Sequence, residues 1–339
     1  MASREQCCLP ADRPRARIVL KEEASDPNHG CVPEERLTAK LLNLGVVNLD
    51  KPSGPTSHEV VSWVKKVLHL EKAGHSGTLD PRVTGVLPCG LGRATRVLQS
   101  LLEAGKEYVC VLRVHKEQSE ERVKEALSLF VGDIFQRPPV KSSVARRVRV
   151  RRVYYAEPLE YDANHGRLLF RVGCQAGTYV RKLCVDVGEV LGVGAHMEEL
   201  RRTRVGPFKE DETLATLQNL ADAWYYYTME GDDRLLRKYV LPVERAVAHV
   251  PKVVVRDSAI DAICHGADLA APGILQLDED VRKGKLVAVT SLKGELVALG
   301  TALEDARVVV KRRTGLMVST QKVIMERGTY PPGWKVRAR

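Results

Sequence analysis

Apolar positions change their spacing several times along this chain, and each change marks an element. Gly45-Val46-Val47-Asn48-Leu49-Asp50 is a short continuous apolar run that reads as a buried strand. Lys51-Pro52-Ser53-Gly54-Pro55 follows as a rigid turn. Over 57–70 the spacing becomes helical: Val60, Val61, Val64, Val67 and Leu68 share one stripe, Lys65 and Lys66 lie off it, and Thr56 with Glu59 has capping-box spacing. A helix is expected over 94–104, closed by Gly105. The period then drops to two, with Tyr108, Cys110, Leu112 and Val114 on one face of a strand. A further helix over 119–130 stacks Val123, Ala126, Leu127 and Phe130. Residues 146–153 alternate arginine and valine, and strand spacing puts Val148 and Val150 on one face and Arg147, Arg149 and Arg151 on the other. Asn164-His165-Gly166 signals a hairpin before the strand over 168–174. Gly177-Thr178 opens a helix with Val180, Leu183, Cys184, Val187 and Leu191 on its apolar side. Tyr179 and Arg181 fall near its first turn, and Gly192 and Gly194 end it.

Strands and helices mix here without a strict βαβ rhythm, so the expected class is α+β with a mixed sheet. Composition shifts near residue 248, after the tyrosine-rich stretch 222–237, to short strands and turns, including two strands around Lys293-Gly294. The expected organisation is an N-terminal tail (1–41), a large mixed domain (42–249), a small β-rich domain (250–325) and a C-terminal tail (326–339). Pro, charge and small polar groups dominate the first stretch, which should be ordered only if it docks on something.

The 339 residues are 44% hydrophobic, enough for a sizeable core. A formal net charge of +10 favours a polyanionic partner, either nucleic acid or an anionic membrane. No apolar run approaches the ~20 residues of a spanning helix, and the N-terminus lacks the apolar core of a signal peptide. No membrane role is expected, and a cytoplasmic location is. Cysteines stand at 7, 8, 31, 89, 110, 174, 184 and 264 with no Cys-x-x-Cys, which argues against zinc-ribbon and thioredoxin-type sites and for core thiols.

The stretch most suggestive of chemistry is Gly74-His75-Ser76-Gly77-Thr78-Leu79-Asp80-Pro81-Arg82-Val83-Thr84-Gly85. Three glycines and a proline crowd one acid, as in a loop that holds a carboxylate rigidly against a ligand. The same residues also read as a Gly-rich turn whose Asp caps a helix or turn. No dinucleotide fingerprint, Walker loop or nucleophile elbow is present, and His75 and His58 lack metal-ligand spacing. Glycosidic chemistry on nucleic acid, with the base flipped out, is one use for such an acid in a basic protein.

Five blocks then occur in order: Asn48-Leu49-Asp50-Lys51-Pro52 with Ser57-His58-Glu59-Val60; 74–81; Lys106-Glu107-Tyr108; Gly177-Thr178-Tyr179-Val180-Arg181; and Leu200-Arg201-Arg202-Thr203. Together they resemble the successive motifs of the TruB/dyskerin pseudouridine synthases. Further on, His265-Gly266-Ala267-Asp268-Leu269 and Pro272-Gly273-Ile274 resemble the PUA RNA-binding domain of archaeal and eukaryotic members. Eukaryotic members usually carry long lysine-rich tails and this chain stops at Arg339, so an archaeal member is expected; the stretch before Leu42 departs most from the pattern.

The resemblance implies a pseudouridine synthase catalytic domain followed by a PUA domain. It implies isomerisation of uridine to pseudouridine in RNA without metal, cofactor or ATP. Asp80 matches the catalytic aspartate, which at an unperturbed pKa of about 3.9 is an anion at neutral pH. Whether it attacks ribose or uracil, or removes a ribose proton, stays open. Arg181 matches the arginine that pairs with it, and the pair is expected inside a sealed cavity. Tyr108 falls on the active-site tyrosine that stacks the flipped base, worth about 1–3 kcal/mol; otherwise it is a core strand residue. His75 matches the histidine associated with base flipping, or else is structural. Tyr179 and Leu200 match substrate-pocket positions, or else are core. Lys51, grouped with the substrate pocket, belongs with Pro52 to a motif whose role is support of the active loop. Arg147, Arg149 and Arg151 form either a phosphate track or a solvated edge strand. Implied substrates are uridine-55 of the tRNA T-loop and ribosomal RNA chosen by H/ACA guide RNA, the latter with the other H/ACA ribonucleoprotein proteins. A PUA domain would grip the guide's ACA end or the tRNA acceptor end. The competing functions are a non-catalytic RNA scaffold or chaperone and a glycosylase that releases free base.

Overall fold

A computed structural model of the chain describes residues 8–138, 147–312 and 314–332. Two sheets organise it. The larger has eleven strands, with the spatial path Leu214–Ala215, Gly45–Lys51, Thr84–Leu91, Ala195–Val205, Lys106–Val114, Arg167–Cys174, Arg149–Asp162, Gly132–Gln136. Ala73–His75, Phe208–Lys209 and Val240–Pro242 pair alongside. Lys106–Val114 is a central strand, antiparallel to both neighbours, and its burial alternates strictly, as its period-two sequence requires. Apolar Gly45–Lys51 is buried almost throughout because it lies between strands with helices beyond.

Helices cover this sheet where the apolar stripes demand it. Ser57–Val67 starts at a complete Thr56/Glu59 capping box and buries Val60, Val61 and Val64. It stops before residue 70, because His69 turns the chain at φ +48°. Val180–Leu191 buries its five expected apolar residues and ends at Gly192 in the left-handed region, φ +72°. Between its strand and helix contributions this core includes the free thiols Cys110 and Cys184, whose sulfurs lie 3.6 Å apart. Cys7 lies outside the described residues.

The smaller, seven-stranded sheet runs Arg17–Val19, Ile274–Asp278, Lys252–Val255, Leu286–Thr290, Leu296–Ala302, Leu316–Val323, Leu269–Ala270. Its first strand comes from the N-terminal stretch, so order begins well before Leu42. The docking on which that order depended is present. Arg17–Val19 completes a sheet edge, Arg15 and Arg17 pair with Asp280 and Asp278 at 2.7 and 3.2 Å, and Leu9 is fully buried against Gly105. These partners lie more than 250 residues away along the chain for the ion pairs, beyond the reach of any local pattern.

The arginine–valine strand lies at the margin of the larger sheet. Alternation holds, but neither face is a buried apolar one: Val148 and Val150 are 54% and 49% exposed, and Arg149 and Arg151 are half-buried. The strand sits beside the edge strand Gly132–Gln136, where Val150 faces Phe135, itself 76% exposed. Part of the expected run, Arg146, lies outside the described residues. No helix among the described residues is long and apolar enough to cross a membrane.

Candidate active site

The loop carrying Asp80 is held from three sides. Ser57, in the first turn of its helix, accepts from the Leu79 amide (2.9 Å) and donates to its carbonyl (3.2 Å). The Gly54 amide reaches the Pro81 carbonyl at 2.9 Å. From beneath, the Lys51 ammonium donates to the carbonyls of Pro52 (2.8 Å), Pro81 (2.9 Å) and Val83 (3.0 Å). Lys51 is 0% exposed and all three of its protons are occupied, so none is left for a substrate group. This corrects its placement in the substrate pocket and matches the loop-supporting role of its motif. Burial and the neighbouring Arg202 push its pKa down, and the field of Asp80 pulls it back up. Glycine is obligatory at Gly85: φ is +101°, and a Cβ there would stand 2.2 Å from the Arg202 carbonyl oxygen.

Held in this way, Asp80 presents its carboxylate to Arg181, whose Nη2 lies 2.5 Å from Oδ2 across 101 residues of sequence. Pro81 and Arg82 beside it are exposed. Among the described residues the pair does not sit in the expected sealed cavity. Both side chains of the pair are 55% exposed, and two cavities of about 510 and 440 Å³ lie elsewhere, the first between the N-terminal stretch and the smaller sheet, the second around His69, Lys72 and Arg93.

Behind the pair lies a buried cationic layer that sequence reasoning quoted but did not interpret. Arg202, 1% exposed, donates to the carbonyls of Val86 (2.8 Å) and Gly77 (3.2 Å). Burial lowers its pKa. Lys106 donates to the carbonyls of Leu101, Leu102 and Ala104 at 3.0–3.3 Å, and burial pushes it down to about 8. Tyr108 is 9% exposed, and burial raises its phenol above the usual value, against the lowering effect of Arg202. The available signal was position: Lys106 and Arg202 sit inside two of the ordered blocks.

The remaining candidates divide. His75 is half-buried on the strand Ala73–His75, edge-on to His58 with ring centroids 4.8 Å apart. Burial, then His58 and Arg202, push it down to about 4, so it is neutral at pH 7. Tyr179 is the N-cap of the helix that carries Arg181, two residues before it. Leu200 is half-buried opposite Cys110, packed on the core that contains Tyr108. The Arg151 guanidinium folds back onto Gly177 and donates to the Val150 carbonyl (3.0 Å); Arg147 is exposed. No group of three His, Cys, Asp or Glu among the described residues could hold a metal.

A mixed eleven-stranded sheet with an acid on a rigid loop paired to an arginine at the start of a helix, and a second β-rich module appended, defines the pseudouridine synthase class of enzyme. Comparison with known proteins gives the family. Residues 65–180 match the N-terminal domain of TruB family pseudouridylate synthases, 181–248 the tRNA pseudouridylate synthase B C-terminal domain, and 251–324 the PUA domain. The chain belongs to the TruB/dyskerin family of pseudouridine synthases, which are isomerases. Residues 9–61 match the DKCLD (NUC011) domain, so most of the stretch ahead of Leu42 follows a known pattern instead of departing from one. Among relatives, a probable tRNA pseudouridine synthase B of Methanothermobacter thermautotrophicus is 57% identical over 94% of this chain and 97% of its own. Another, from Pyrococcus furiosus, is 51% identical over 98% and 97%. Among solved structures, a chain of a Cbf5-Nop10-Gar1 complex superposes with a TM-score of 0.93 at 51% identity, covering 96% of this chain and 99% of that one. A chain from an H/ACA RNP bound to a substrate RNA containing 2'-deoxyuridine gives 0.91 at 49%, covering 96% and 100%.

Proposed function

We propose that this chain converts uridine to pseudouridine at two kinds of site, uridine-55 of the tRNA T-loop and ribosomal uridines selected by H/ACA guide RNA. Asp80 is the reacting anion, Arg181 its clamp, and Tyr108 the aromatic face under the flipped base. The observation that carries this is the 2.5 Å contact between Arg181 and Asp80 on a loop pinned by Lys51 and Ser57. A permanently charged guanidinium holds the carboxylate as an oriented anion when water leaves. The openness of the pair fits an RNA substrate that itself supplies the missing wall. The reaction balances within the nucleoside: the N1–C1' bond breaks, C5 joins C1', C5 loses a proton and N1 gains one. Relatives named for tRNA support the first substrate, and the related chains in H/ACA assemblies support the second, with small ribonucleoprotein partners and a guide held partly by the PUA domain. An archaeal source fits the organisms of the relatives, and a cytoplasmic location fits a basic RNA-modifying chain. The test is Asp80→Asn, incubated with unmodified tRNA transcript, and with guide RNA and partner proteins. RNA binding should persist while pseudouridine formation stops. Retained product would move the chemistry elsewhere, and free uracil in solution would mark a glycosylase.

A further inference from the structure

Gln136 has no place in the site as so far described, yet it is 2% exposed at the last position of an edge strand. Its amide makes two reciprocal bonds to a single residue. The Tyr179 amide donates to Gln136 Oε1 (2.9 Å), and Gln136 Nε2 donates to the Tyr179 carbonyl (3.1 Å). A primary amide set against one residue's backbone in this way copies a strand pair, fixing both translation and rotation of that residue. Tyr179 is the N-cap of the helix Val180–Leu191, and its own side chain makes no capping bond. Its carbonyl also accepts the first bond of that helix, from the Leu183 amide (3.0 Å). The preceding turn is tied to the same hairpin, with the Gln175 amide on the Arg152 carbonyl (2.7 Å) and the Arg152 amide on Gln175 Oε1 (3.2 Å). Arg181 is the second residue of this helix, two beyond the clamped N-cap.

We propose that Gln136 is a positioning residue for the reaction: through the backbone of Tyr179 it sets the helix start that aims Arg181 at Asp80. The inference rests on the proposed role of the Asp80–Arg181 pair. Without the clamp the helix start loses both bonds from Gln136 to the Tyr179 backbone, and the guanidinium drifts from the carboxylate. Misplacements of this size cost about 10- to 100-fold in rate.

The experiment is a double-mutant cycle with Gln136→Ala and Arg181→Lys, read as single-turnover rates with enzyme in excess on a tRNA transcript. Gln136→Ala alone should slow the reaction by about 10- to 100-fold with RNA affinity within about twofold. In the Arg181→Lys background the same change should cost less than about threefold, because the group it positions has already been altered. Full additivity, or a loss confined to RNA affinity, overturns the role of Gln136. Full activity of Arg181→Lys and Arg181→Ala together instead overturns the role of the pair. Gln136→Glu gives a readout that plain structural support would not. An ionised Glu accepts from the Tyr179 amide but cannot donate to its carbonyl, whereas a protonated one does both. Burial raises such a carboxyl, so the rate relative to wild type should recover as pH falls from 8 to 6. A flat ratio in a folded protein also overturns the proposal.

Discussion

Replacing Lys51 with methionine removes the pin beneath the Asp80 loop while keeping most of its volume. Three bonds from the ammonium are lost, to carbonyls at 2.8, 2.9 and 3.0 Å. A hydrogen bond to a charged group contributes about 1.5–3 kcal/mol net, so the three together reach about 5–9 kcal/mol. Keeping an ammonium fully buried costs several kcal/mol of that, as its lowered pKa indicates. The difference leaves a loss of about 3–5 kcal/mol, which at about 2–4 °C per kcal/mol lowers Tm by about 6–20 °C. A thermal melt followed by circular dichroism reads this. Turnover measured well below the variant's own Tm should also fall, because two of the freed carbonyls belong to Pro81 and Val83, one and three residues after Asp80. The decisive measurement is the dependence of RNA affinity on salt. Lys51 is 0% exposed, so Lys51→Met should leave the slope of log K against log salt unchanged, whereas loss of a phosphate contact would reduce it by about 0.7–0.9. A Tm within 2 °C of wild type would refute the pinning argument, and a shallower salt slope would return Lys51 to the substrate surface.

Two other outcomes follow from the geometry. Burial pushes His249 from 6.5 to about 4, so its neutral form stabilises the fold fully above pH 6.5, and that stability is lost as pH falls toward 4. The loss amounts to about 3 kcal/mol, so Tm against pH should fall less steeply in His249→Gln over that window, and identical slopes would exclude the assignment. Converting Arg147, Arg149 and Arg151 together to glutamine should weaken RNA binding across sequences and reduce the salt slope by about 2 if all three lie on phosphates. An unchanged slope would leave them as a charged sheet margin.

How much of this was legible in sequence depends on the distance over which each feature is encoded. The Thr56/Glu59 box, the alternation through Lys106–Val114 and the Gly192 stop are written within a turn or two of chain, and all three stand where pattern put them. Asp80 could be singled out by its glycines, but its partner lies 101 residues on, and only the resemblance to a family joined the two. The N-terminal stretch read as a tail because its partner strand, Ile274–Asp278, is more than 250 residues away. For the arginine–valine strand the period set which residues share a face and left open what covers each face, because alternation carries no information about the neighbours beyond the sheet.

The buried cations show a deeper limit. Among the described residues Lys51, Lys106 and Arg202 make no ion pair; their hydrogen bonds go to main-chain carbonyls. Every residue carries a carbonyl, so such a partner leaves no mark in sequence, unlike a carboxylate at a matching position. The choice of acceptor also has consequences for the site. A carboxylate under the loop would set a second negative charge behind Asp80. Neutral carbonyls satisfy the cations and leave their field directed at the loop, where the pull of Asp80 on the Lys51 ammonium registers it. The same bonds fix the backbone at Gly77, Pro81 and Val83, so one set of contacts both shapes the loop and biases the charge it presents. Removing Lys51 or Arg202 should therefore disturb geometry and electrostatics together. Removing Arg181, which stands on the exposed side, should disturb the electrostatics and leave the loop in place.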